Sequence, residues 1–89
     1  MYAEYEKLSR EQRRAFRRVL TRFIEALRSH STTLPAGLRV KSVQGHPGVF
    51  EMTFAPDGRA TFEYGRELIE GEPHVIWRRV GDHSIFRNP

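Results

Sequence analysis

The sequence predicts an α+β domain in which an amino-terminal helix or helical hairpin packs on a roughly four-stranded antiparallel sheet. Three observations carry this reading. Apolar residues recur at three- and four-residue spacing through the first third of the chain, the spacing changes to two from Leu38 onward, and compact turn signals divide the second part into strand-length pieces. With 89 residues there is room for a single domain spanning residues 1–89 and a thin core.

The helix begins at Ser9-Arg10-Glu11-Gln12, which has the form of a capping box with Ser9 as N-cap and Gln12 reaching back to it. Phe16, Val19, Leu20, Phe23 and Leu27 then form one apolar stripe, while Arg13, Arg14, Arg17, Arg18 and Glu25 lie mostly off it. Tyr5 and Leu8 continue the same spacing backwards, so Ser9 either separates two helices or sits within one long one. The polar run from Ser29 to Thr33, with Pro35 and Gly37, ends the helix and connects it to the sheet.

Leu38 and Val40 alternate with Arg39 and Lys41, and Phe50, Met52 and Phe54 alternate with Val49, Glu51 and Thr53. These are two strands joined by a turn over Gln44–Gly48. Ala55-Pro56-Asp57-Gly58 predicts a tight hairpin, because proline presets φ, aspartate can bond its own backbone and glycine accepts positive φ. The returning strand puts Ala60, Phe62 and Tyr64 on one face and Arg59, Thr61 and Glu63 on the other. After a longer loop over Gly65–Pro73, the run Val75-Ile76-Trp77 predicts a strand covered on both faces, ending at Arg78-Arg79.

Composition narrows the function classes. There is no cysteine, which removes disulfides, thiolate metal sites and thiol nucleophiles. Neither a spanning segment nor a signal peptide is expected, so the reading is a cytoplasmic protein that makes no use of a membrane. The net charge is +4, and residues 1–31 carry the whole surplus, with eight basic residues against four glutamates. Thirteen of the fifteen basic residues are arginine, whose planar fork suits phosphate, although an arginine-rich codon bias explains the excess equally well. An anionic polymer, RNA first, is the expected partner.

His30, His46, His74 and His83 lie far apart with no two-histidine ligand spacing, so neither a metal nor any other cofactor is expected. Gly45-His46-Pro47-Gly48 lacks the form of a phosphate loop. The stretch from Trp77 to Phe86 stands out: two arginines leave a strand end, the chain turns at Gly81, and His83 follows, a side chain able to take and give protons.

The segments Gly37-Leu38-Arg39-Val40-Lys41, Gly45 to Glu51, and Gly58-Arg59-Ala60-Thr61-Phe62 together resemble the RelE/ParE superfamily of toxins. The ending Arg79-Val80-Gly81-Asp82-His83 with Phe86 is similar to that of its YafQ-like ribosome-dependent RNases. The likeness spans roughly residues 5–86. Phe86 stands where other members have tyrosine, and the strand Glu51–Phe54 lacks the lysines of RelE itself. The resemblance implies a toxin of a type II toxin–antitoxin system that cleaves mRNA on the ribosome without metal, leaving a cyclic phosphate and a 5′-hydroxyl. It implies a cognate antitoxin as partner, which the charge surplus on residues 1–31 predicts to be acidic or amphipathic and to cover the basic helix and the sheet. It makes His83, Arg79 and Arg59 the catalytic set. Arg39, Lys41 and Arg78 would bind RNA, and Asp57 or Glu51 would be the second acid or base. The alternatives are a ParE-like, non-hydrolytic topoisomerase inhibitor and an inactive binding module.

Overall fold

The computed structural model describes residues 2–28, 38–66 and 74–89. Helices α1 (Tyr2–Lys7) and α2 (Arg10–Arg28) lead into strands β1 (Val40–Ser42), β2 (Val49–Ala55), β3 (Gly58–Gly65) and β4 (His74–Gly81), followed by a short 3-10 helix (His83–Arg87). All four strands form one antiparallel meander in the order β1-β2-β3-β4. The expected connection over 29–37, with His30, and most of the loop before β4 lie outside the described residues.

Ser9 separates two helices. Its backbone N–H donates to Gln12 Oε1 and the Gln12 N–H donates to Ser9 Oγ, both at 3.1 Å. This reciprocal cap satisfies orphan donors at the start of α2, and an N-cap of this kind is worth about 0.5–2 kcal/mol. The six-residue α1 is too short to be stable alone. It is held by packing, with the Tyr5 ring 5.8 Å from that of Phe16 and Leu8 buried.

One face of the sheet carries the core. Phe16 and Phe23 of α2 meet Phe54, Phe62 and Trp77 at ring-centroid distances of 5.1–6.0 Å. Met52, Ala60 and Phe62 beneath them are fully excluded from solvent. Val19, Leu20 and Leu27 pack at the margin of this cluster, so the whole apolar stripe of α2 faces the sheet.

Glycine serves the two described turns in different ways. Gly45 and Gly48 both have φ +81°, in the left-handed region, which explains why the β1–β2 connection uses glycine. At the β2–β3 hairpin Ala55 pairs with Gly58, so Pro56 and Asp57 form its tip. The Phe54 ring lies so close to Gly58 that a Cβ there would fall 2.5 Å from a ring carbon.

Three expectations need correction. Among the described residues β4 is an outer strand, and its Ile76 is 40% exposed, so it is not covered on both faces. Its apolar run reflects the alternation of Val75 and Trp77 toward the core with Ile76 toward solvent. The strand also runs past Arg79 to Gly81, because Val80 pairs with Ala60 and belongs to the core. Finally, Gly58 does not take the positive φ expected of it, glycine being needed there for the close approach of Phe54; on the second sheet face Thr61 is fully buried and Glu51 nearly so.

Candidate functional site at the β2–β3 hairpin and the 3-10 helix

Strand parity places most of the sequence-selected residues on the sheet face away from α2. Lys41, Glu51, Thr61 and Arg79 occupy one row across the four strands. In the next row Thr53 pairs with Arg59, Arg59 with Gly81, and the Thr53 N–H donates to the Arg39 carbonyl at 3.0 Å. A register shift between Thr61 and Phe62 leaves Arg78 as an extra residue in β4. The bulge lets neighbouring Arg78 and Arg79 both reach the chain that returns at Asn88 and Pro89.

One group of these residues converges. Asp57 at the hairpin tip accepts from His83, with Oδ1 2.9 Å from His83 Nδ1 and 3.4 Å from the His83 backbone N–H. Arg59 Nη2 lies 3.5 Å from His83 Nε2. In the tautomer that satisfies both contacts, Nδ1–H donates to the carboxylate and the Nε2 lone pair faces the guanidinium. Arg59 is itself pinned, since Nη1 donates to the carbonyls of Ala55 and Gly58 at 3.0 Å and of Pro56 at 3.3 Å. The Phe86 ring flanks His83 edge-on at 5.8 Å.

Local chemistry builds this arrangement from two elements. The Pro-Asp-Gly turn raises Asp57 above the end of the sheet. Asp82 caps the 3-10 helix by accepting from the Ser84 N–H at 2.8 Å, and that helix starts at His83. The bonds from Ser84 hold the Asp82 carboxyl below the usual carboxylate range. Ile85 is buried as the anchor of the helix, while the His83 and Asp57 side chains remain 62% and 66% exposed. An oriented imidazole open to solvent beside a fixed guanidinium can exchange a proton and hold an anionic oxygen at the same place.

The other expected residues are engaged elsewhere. Arg79 donates through Nε and Nη2 to Glu4 Oε2 at 3.1 and 2.7 Å and through Nη1 to the Asn88 carbonyl at 3.1 Å, so its partners are α1 and the tail and not His83. Its guanidinium, by hydrogen bonding, holds the Glu4 carboxyl below the usual carboxylate range. Arg78 pairs with Glu63 at 2.8 Å and donates to the Pro89 carbonyl at 3.0 Å. Lys41 lies 3.6 Å from Glu51, which separates Glu51 from the histidine and leaves Asp57 as the carboxylate beside it. Arg39 is exposed.

Glu4, Thr61, Asn88 and Pro89 had no signal in the sequence. Thr61 Oγ1 donates to the Pro89 carbonyl at 3.1 Å, so the tail lies over the middle of this face. Glu4 meets Arg79 across almost the full length of the chain, a distance that no local pattern encodes. A shallow cleft of about 280 Å³ lies between α1, the start of α2, the end of β4 and the 3-10 helix, with Arg79 and Glu4 in its wall. Among the described residues no group of three or more His, Asp or Glu is placed to hold a metal ion, and no helix is long and apolar enough to cross a membrane. The chain matches no protein-family model, no curated protein and no solved structure.

Proposed function

We propose that this chain is an endoribonuclease, the toxin of a toxin–antitoxin pair, which cleaves mRNA on the ribosome by attack of a 2′-hydroxyl on its own phosphodiester. The observation that supports it most is the Asp57–His83–Arg59 constellation, three residues from two elements meeting within hydrogen-bond range. His83 Nε2 takes the proton from the 2′-hydroxyl. The 2′-oxygen bonds to phosphorus, the bond to the 5′-oxygen breaks, and the leaving oxygen takes a proton from solvent, to which the site is open. Asp57 keeps the ring in the reactive tautomer and stabilises the imidazolium that forms. Arg59, held by three carbonyls, offers its remaining N–H groups to the phosphorane oxygens without first having to be ordered.

Because the nucleophile is built into the substrate, the reaction needs no metal-activated water. On this reading Arg39 and Lys41 follow the neighbouring strand of RNA. Arg79, bonded to Glu4, supports the fold around the site and binds phosphate only if that ion pair opens. An acidic or amphipathic antitoxin segment covers the same sheet face.

The test is product analysis on programmed ribosomes with a chelator present. The expected ends are a 2′,3′-cyclic phosphate and a 5′-hydroxyl, with His83→Ala producing neither. Products with a 5′-phosphate would contradict this chemistry, and inhibition of purified gyrase without RNA cleavage would put the topoisomerase reading in its place.

A further inference from the structure

Six arginines of α2, Arg10, Arg14, Arg17, Arg18, Arg22 and Arg28, are exposed. Among the described residues none of them forms an ion pair, although Glu11 and Glu25 lie exposed on the same helix. By contrast Arg59, Arg78 and Arg79 each hold a carboxylate or backbone carbonyls. The helical repeat sets Arg10, Arg14, Arg17 and Arg28 in one line, with Arg18 beside it, on the side opposite Phe16 and Phe23.

We propose that the outer face of α2 is a docking surface for the phosphate backbone of a nucleic-acid duplex, separate from the Asp57–His83–Arg59 site. Unpaired guanidinium groups already in solvent need no internal bond broken to meet phosphate, and each contact releases condensed counterions. At 1.5 Å per residue Arg10 and Arg28 stand about 27 Å apart along the axis. A duplex strand presents on the order of eight phosphates over that length, at about 3.4 Å each. The chemistry of the face favours a polyanion over a protein. Ile24 is its sole exposed large apolar side chain, whereas protein interfaces are anchored by a buried aromatic or aliphatic centre. This inference does not rest on the cleavage reading, since docking needs neither His83 nor Asp57.

The test is the salt dependence of binding to a short B-form DNA duplex, to which the phosphate spacing and slope above apply, measured by fluorescence anisotropy. Arg14→Gln with Arg18→Gln removes two charges from the face. Arg66→Gln with Arg87→Gln removes the same charge from exposed positions elsewhere. The helix double should flatten the slope of log K against log salt by about 1.8, at 0.9 per lost phosphate contact, and the control should leave it near wild type. Arg14→Lys with Arg18→Lys should restore most of the slope, which loss of folding could not explain. Equal slope changes in helix double and control would reduce the effect to net charge and overturn the proposal. Tighter binding of polyglutamate than of the duplex, lost in the helix double, would overturn it in favour of an acidic protein partner. Cleavage of mRNA on programmed ribosomes by the same variants is a separate readout, so loss of one result leaves the other standing.

Discussion

The sheet face beside the 3-10 helix and the outer face of α2 both carry arginines, yet they treat them in opposite ways. On the sheet side each of Arg59, Arg78 and Arg79 has its fork fixed by the fold. On the helix side the arginines are tethered only at the backbone and make no ion pair among the described residues. A fixed cation loses little freedom when a reacting phosphate arrives, so it suits a transition state. A free cation adapts to any spacing of phosphates and suits docking. Composition alone, which shows only an arginine surplus, cannot tell these two uses apart.

The largest effect expected from this contrast is kinetic. His83→Ala should lower the single-turnover cleavage rate about 10²- to 10⁴-fold, the usual worth of a positioned proton carrier, while circular dichroism stays that of wild type. Arg14→Gln with Arg18→Gln should leave that rate unchanged at saturating RNA. A comparable drop in the helix double would erase the division between the faces.

Asp57→Asn should have the next largest effect. Its carboxylate bonds the imidazole with one oxygen, and a hydrogen bond to a charged group is worth about 1.5–3 kcal/mol, so the rate should fall about ten- to a hundredfold. KM should hardly move, because Asp57 reaches the substrate only through His83. A KM effect with an unchanged kcat would show that Asp57 contacts RNA directly.

Most of the fold was legible because it rests on local rules. The capping box at Ser9, the apolar stripe of α2 and the Pro-Asp-Gly hairpin each encode their geometry within a few residues. What could not be read depends on partners distant in sequence. Nothing in Val75-Ile76-Trp77 says that its strand lies at the edge of the sheet among the described residues, and nothing near Arg79 points to Glu4. The site was half legible. His83 and Arg59 could be chosen as a proton carrier and a cation, but the choice of Asp57 over Glu51 needed the register, which sets Glu51 opposite Lys41.

The Glu4–Arg79 pair tests whether the sheet-side arginines serve the fold. Both partners are partly exposed, so Glu4→Gln should cost about 0.5–1 kcal/mol in urea unfolding at neutral pH. Since Arg79 lowers the Glu4 pKa in the folded state, that stability is complete above the ordinary carboxylate range and is lost as pH falls through the lowered value. Wild type and Glu4→Gln should therefore converge in acid. A gap that persisted there would mean that Glu4 adds to the packing of α1 by something other than its charge. The smallest change should come from Arg17→Gln, an exposed position without an ion-pair partner, where stability should move by less than about 0.5 kcal/mol.

The most direct test of the central claim is single-turnover cleavage of mRNA on programmed ribosomes by wild type, His83→Ala and Arg59→Gln at saturating enzyme. His83→Ala should slow the chemical step with little change in binding. Arg59→Gln should slow it and weaken binding together, because its guanidinium holds the same phosphate that reacts. Wild-type cleavage by His83→Ala would remove His83 as the proton carrier, whatever the helix face does.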